Sequence, residues 1–161
     1  MPIAKLRKYL DDNKIKYVVI SHSTAYTAQD VAEAAHIRGK EIAKTVIVNV
    51  DGGNGRMAMV VLPASCRIDF AILKELTGAK AVELATEDDF IDAFPDCEIG
   101  AMPPFGNLYH IPVYVARKLG EDEEIAFNAG THRELIKMKY RDFERLVKPK
   151  VFDLTAVFSR T

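Results

Sequence analysis

The stretch that most restricts this chain is Lys44-Thr45-Val46-Ile47-Val48-Asn49-Val50, then Asp51-Gly52-Gly53-Asn54-Gly55, then Met57-Ala58-Met59-Val60-Val61-Leu62. β-Branched residues lose side-chain freedom in a helix and fit a pleated sheet, so the first run predicts a strand. The glycine-rich turn supplies the unusual φ angles of a tight reversal, and the second run returns as a strand ended by Pro63. A long hairpin of this kind must bury its apolar faces, and everything else in the chain has to pack against it.

The remaining elements are read from periodicity and caps. Pro2 suits the first turn of a helix running through Asp12, with Ile3, Leu6 and Leu10 on one stripe. Lys16 to Ile20 reads as a strand, and Thr27 as the N-cap of a helix carrying Asp30, Val31, Ala34 and Ala35, interrupted at Gly39. Asp69 caps a helix ending near Gly78, Ala81 to Leu84 is a short strand, and Thr86 caps a helix through about Ala93. A short strand is expected at Cys97 to Gly100, with others at Pro112 to Ala116, Glu124 to Asn128 and Leu135 to Met138. A helix over Tyr140 to Val147 and an extended segment over Val151 to Leu154 close the pattern.

Strands therefore come in adjacent pairs with single helices between them, unlike the strict alternation of a doubly wound sheet. The expected class is mixed α+β (α/β): a curved, mainly antiparallel mixed sheet, or a partial barrel, with surrounding helices. No linker, repeat or low-complexity tract divides the chain, so residues 1–161 read as one domain.

Charge and cysteine content narrow the function. With 22 basic against 23 acidic residues the net charge is −1, which excludes a strongly basic nucleic-acid wrapper while leaving room for a local patch. No DNA partner is expected. The apolar runs are too short to cross a bilayer, and MPIAKLRKYLDD lacks the apolar core of a signal peptide, so no membrane partner and a cytoplasmic location are expected. Cys66 and Cys97 have no CxxC or Cys/His spacing, so no disulfide, metal site or cofactor is expected.

GxSxG, Walker A, HExxH and GxGxxG motifs are all absent. An enzyme built on this chain would position a substrate and a water rather than form a covalent intermediate. Three features remain. Lys44 stands at the mouth of its strand, where it could aim an ammonium into a cavity or sit solvated at a strand end. Glu98-Ile99-Gly100-Ala101-Met102-Pro103-Pro104-Phe105-Gly106-Asn107 brackets two prolines with glycines. Pro103 and Pro104 fix φ and donate no N–H, which makes either a rigid site wall or a stiff connector. Phe127-Asn128-Ala129-Gly130-Thr131-His132 offers small and hydrogen-bonding residues that could face a site or satisfy a turn.

In this order, the three features resemble the YbaK/prolyl-tRNA synthetase-associated domain family, the trans-editing aminoacyl-tRNA deacylases. The matching segments are SHSTAYTAQDVAEAAHI, EIAKTVIVNV, MVVLPASCRIDFAILKELTGAKAVELAT, IGAMPPFG, IPVYVARKL and EIAFNAGTHRELIKMKYRDFERLVKP. The resemblance implies hydrolysis of the ester joining a wrong amino acid to the terminal adenosine of a tRNA, by a water helped by a substrate ribose hydroxyl. It implies catalytic roles for Lys44, Gly100 and Pro104. It implies substrate-binding roles for His22, Thr27, Ala101, Met102, Pro103, Asn128, Gly130 and His132. It also implies mischarged tRNA as partner, with an aminoacyl-tRNA synthetase as a second partner.

The MPPFG loop departs from the ISPLG-like version of Cys-tRNA deacylases, which argues against a cysteine-specific enzyme. Small residues such as Ala101, Ala129 and Gly130 are expected to set which side chain fits. The basic set Arg133, Lys137, Lys139, Arg141, Arg145, Lys148 and Lys150 either meets the acceptor stem or forms a solvated face, mixed as it is with Glu134, Asp142 and Glu144. Two other functions fit the same residues: a non-catalytic module binding aminoacyl-tRNA ends or a synthetase, and a hydrolase of some other activated ester.

Overall fold

A computed structural model describes residues 2–51 and 56–157. The hairpin strands form as expected: β2 (Ile42–Val50) pairs antiparallel with β3 (Met57–Pro63), with Lys44 opposite Leu62 and Asn49 opposite Met57. The turn at 52–55 lies outside the described residues. Around this hairpin, with β1 (Tyr17–Ser21), β5 (Val82–Leu84), β6 (Val113–Ala116), β7 (Glu124–Asn128), β8 (Glu134–Lys139) and β9 (Lys150–Phe152), an eight-stranded sheet runs β1-β8-β7-β2-β3-β6-β9, with β5 also paired to β2. β1–β8, β7–β8, β2–β3 and β2–β5 are antiparallel, whereas β2–β7, β3–β6 and β6–β9 are parallel, so the sheet is mixed.

Alternation along β2 divides the core. Ala43 and Ile47 face one side, with Leu6 and Leu10 of α1 (Ala4–Asp12) and Phe143 of α5 (Tyr140–Val147). Val48 and Val50 face the other, against Leu73 of α3 (Phe70–Thr77). Ile42 is on that second side too, where Val31 and Ala32 of α2 (Ala28–Ala35) cover it. The caps read from the sequence are in place: Thr27 Oγ1 accepts the Asp30 N–H, and Asp69 accepts those of Ala71 and Ile72. Thr86 and Asp89 form a reciprocal capping box on α4 (Glu87–Phe90), which stops short of Ala93.

Two differences from the sequence reading matter. Cys97 to Gly100 is a turn rather than a strand: Glu98 N–H donates to the Gly130 carbonyl at 2.8 Å, and Ala101 N–H returns to the Glu98 carbonyl at 3.0 Å. A bond back over three residues closes the chain on itself and removes it from any ladder. Second, β4 (Cys66–Ile68) pairs with β10 (Thr155–Val157) in a small separate sheet, a long-range match of three residues each with no local signature. No helix among the described residues is long and apolar enough to cross a membrane.

Candidate active site

The site begins where β2 runs out of partners along one edge. β7 pairs only with Ile42 and Ala43, and β5 pairs only with Val48 to Val50, so the two leave a gap along the middle of β2. Ile42 turns its carbonyl to the β3 side, accepting from Ala64 at 2.8 Å, while Ile47 turns its own to the gap side, accepting from Ala85 at 3.0 Å. By alternation Thr45 directs its main-chain groups into this fork.

Lys44 and Asn128 flank the base of the fork. The last parallel pair is Ala43 with Phe127, so Lys44 and Asn128 stand one position further on, with side chains on the α2 face alongside Ile42 and Ala126. The same row crosses β8 and β1 through Leu135 and Ile20. Lys44 is half-buried, and burial lowers its pKa from the usual lysine value because a charged ammonium is poorly solvated there. It lines a cavity of about 620 Å³ with Val46, Arg67, Phe70 and Leu84.

The proline loop is fastened to the turn after β7. Besides Glu98 N–H to Gly130, Gly130 N–H donates to the Ala101 carbonyl at 2.9 Å, and His132 N–H donates to Glu98 Oε1 at 2.7 Å. Gly100 sits at φ +85°, is exposed, and uses its N–H in none of these bonds. The next four residues are different: Ala101, Met102, Pro103 and Pro104 are all buried, Ala101 completely. In this arrangement Gly100 alone of the five presents itself to solvent, and the others anchor it. Ala129 is also completely buried, so neither it nor Ala101 forms an open pocket wall. Met102 instead borders a 240 Å³ pocket with Phe90, Phe94, Cys97 and Ile99.

Two histidines are fixed in matching ways. His132 Nε2 lies 2.6 Å from the Ile99 carbonyl, and His22 Nδ1 lies 2.6 Å from the Ser23 carbonyl. A carbonyl only accepts, so each of those nitrogens carries a proton, and in the neutral tautomer this selects the other nitrogen is an acceptor. Those other nitrogens, His132 Nδ1 and His22 Nε2, are buried without a partner among the described residues, as is Asn128 Oδ1; the fourth such atom is Arg7 Nε. Three of the four thus belong to residues that the sequence singled out. His22 N–H donates to the Arg133 carbonyl and Ala25 N–H to the His132 carbonyl, so the two histidine segments run side by side.

Other expected residues take structural parts. Thr27 spends its hydroxyl on the α2 cap. Gly130, at φ +93°, would place a Cβ 2.4 Å from Ile3 Cγ2, so its lack of a side chain lets α1's entry pack there. Cys97 shares a 3.4 Å contact with the Tyr109 hydroxyl, and burial pushes its pKa up to about 11, which disfavours a thiolate. No group of three or more His, Cys, Asp or Glu among the described residues could hold a metal ion. The sequence reading missed Tyr26, whose ring packs on His132 with centroids 4.7 Å apart. Its only signal was an aromatic residue in a polar loop.

This geometry can be set beside known proteins. The chain is 27% identical over 152 residues to the Multifunctional Ser/Thr-tRNA deacylase ProXp-y of Escherichia coli (strain K12), covering 91% of this chain and 89% of that protein. It is 24% identical over 143 residues to the Prolyl-tRNA editing protein ProX of Acetoanaerobium sticklandii, covering 86% of each. A crystal structure of the hypothetical protein APE2540 shares the fold with a TM-score of 0.84 at 22% identity, covering 94% of this chain and 99% of the other. The profile of the aminoacyl-tRNA editing domain matches residues 22–146, which takes in His22, the fork, the proline loop and His132. With that match spanning well over half its length, the chain belongs to the aminoacyl-tRNA editing domain family.

Proposed function

We propose that the protein hydrolyses the ester of mischarged tRNA in trans at the fork between β5 and β7. The observation that carries this reading is the set of buried, unpartnered atoms on His22, Asn128 and His132, together with Gly100, which lies against His132 and whose N–H is used in no bond among the described residues. An aminoacyl ester brings an ammonium with three N–H donors and a carbonyl that becomes an oxyanion, so its needs complement the site's.

In the reaction, a water oxygen bonds to the ester carbonyl carbon, the carbonyl oxygen takes up negative charge, and the bond to the ribose oxygen then breaks. That oxygen leaves with a proton, giving free amino acid and tRNA. Gly100 N–H is the donor for the developing oxyanion, and the Lys44 ammonium holds the negatively charged end of the tRNA or the carbonyl. An ester is already activated, so orientation and charge stabilisation suffice without a nucleophilic side chain. Pro103 and Pro104 act by stiffening the segment that presents Gly100. A synthetase enters this reading only as the source of the mischarged tRNA.

Seryl- and threonyl-tRNA are the first substrates to try, because the Escherichia coli relative is named for them and the spare acceptors suit a side-chain hydroxyl. Release of amino acid from tRNA charged with Ser, Thr, Ala or Cys should be measured for wild type and Lys44→Ala. The reading expects multiple turnovers on at least one of the four and a loss of roughly 100-fold or more in the variant. Saturable binding without turnover on any of them would support a binding module and overturn it.

A further inference from the structure

Among the large apolar side chains exposed in the described residues, Val18, Val19, Tyr26, Leu84, Ile91 and Ile99, one is aromatic, and it packs on His132. Tyr26 is 70% exposed. Its ring packs at a tilt against His132, with centroids 4.7 Å apart and planes at 52°, and His132 is held by Glu98 and by the carbonyl of Ile99 next to Gly100. The backbone on either side is tied down: Ala25 N–H donates to the His132 carbonyl, and Thr27 is the N-cap of α2. The ring is therefore positioned against His132 and largely exposed, at the edge of a recess it shares with Ser23, Thr24 and Ala25.

We infer that Tyr26 stacks against the terminal base of the tRNA and so sets the reacting ester over Gly100. The inference rests on the deacylase reading and adds to it. An enzyme that acts on a charged tRNA end meets the same unpaired terminal nucleotide whatever the amino acid, and every base has a flat face that an aromatic ring can hold without hydrogen bonds. Ester and base are joined through one ribose, so a ring packed directly on His132 places the base within a nucleoside's length of the acceptors on His22 and His132. Ile99, 42% exposed, flanks His132 through the carbonyl that fixes the imidazole and adds an apolar edge to the same rim. Asp30 and Glu33 line the same recess as Tyr26 and repel phosphate, so the ring itself offers a neutral contact to the base.

The test uses the full chain and two readouts. An RNA microhelix ending in 2-aminopurine, with its amino acid joined by a stable amide, reports stacking as quenched fluorescence. The quench should saturate with wild type, persist with Tyr26→Phe, and vanish with Tyr26→Ala. On the best mischarged tRNA, Tyr26→Ala should raise KM by about 10-fold, with the loss in KM rather than kcat, and Tyr26→Phe should restore it. A quench that survives Tyr26→Ala, or a KM equal to that of wild type, overturns the inference while wild-type turnover leaves the deacylase reading standing. A Tyr26-dependent quench in a protein that turns over no mischarged tRNA supports the base site and defeats the deacylase reading.

Discussion

Gly100 and Gly130 hold φ angles of +85° and +93°, yet a methyl group would meet different surroundings at each. At Gly130 the added Cβ lies 2.4 Å from Ile3 Cγ2 and 3.3 Å from Ile3 Cβ, and Ile3 is pinned by its N–H bond to the Ala129 carbonyl. Neither side can yield cheaply. At Gly100 the Cβ would rest 3.5 Å from His132 Cε1, an ordinary contact, leaving only the cost of a left-handed conformation. Gly130→Ala should therefore lose about 2–4 kcal/mol in urea unfolding. Gly100→Ala should lose only about 1–2 kcal/mol while its deacylation rate falls roughly 100-fold, because relief of the left-handed strain turns the loop's N–H away from the ester. Equal stability losses would show that Gly100 is a packing residue after all. Lys44 adds a pH signature. Its folded pKa is lowered by burial, so between that value and the usual 10.5 the unfolded chain binds more protons. Wild-type stability then rises with pH through that window, and the cost of the buried charge is fully present below it. Lys44→Met, which carries no such charge, should exceed wild type in stability by most near neutral pH, with the gap narrowing on alkaline titration. The wild-type rate, if it needs the ammonium, falls over the same window.

At the scale of elements, what was legible from the sequence was whatever its own neighbours determine. Thr27, Asp69 and Thr86 each announce a helix by a side chain within reach of the next turn's N–H groups, and all three caps are present. The apolar, β-branched runs of β2 and β3 on either side of a glycine-rich sequence specify a hairpin whatever else the chain does. What could not be read locally were pairings across long separations. β2 accepts β7 at its start and β5 at its end, from segments some 80 and 35 residues away, and the gap between them makes the fork. The Cys97–Gly100 strand was misjudged for the same reason: its backbone partner is Gly130, which replaces a ladder with a clasp between two loops. Of the site, the residue types of Lys44, Gly100, Asn128 and His132 were visible. The burial of Ala101 to Pro104 was not, because a Pro-Pro-Phe run looks equally suited to a surface loop and to a loop turned inward.

Across the whole molecule, a net charge of −1 conceals an uneven distribution. From Ala81 to Ala116 there is no lysine or arginine, while Glu83, Glu87, Asp88, Asp89, Asp92, Asp96 and Glu98 all fall there. These acids follow β5 and α4, the side of the fork beyond Leu84. The exposed cations without an ion pair among the described residues include Arg67, beside Lys44 in its cavity, and Arg133, next to His132. Others are already engaged, as Lys137 is with Glu124 and Arg145 with Asp142. On the deacylase reading proposed above, an acceptor stem leaving the site would be repelled from the α4 flank and drawn across Arg67 and Arg133. At low salt, Arg67→Glu and Arg133→Glu should each raise KM for mischarged tRNA. Each should also reduce the slope of log KM against log salt by about 0.7–0.9, one phosphate contact's share. Asp92→Lys, on the repelling flank, should leave the slope as it is or lower KM slightly. If reversal at Asp92 weakened tRNA binding as much as reversal at Arg133, the stem would have to cross the acidic flank, and the asymmetry would serve some other partner.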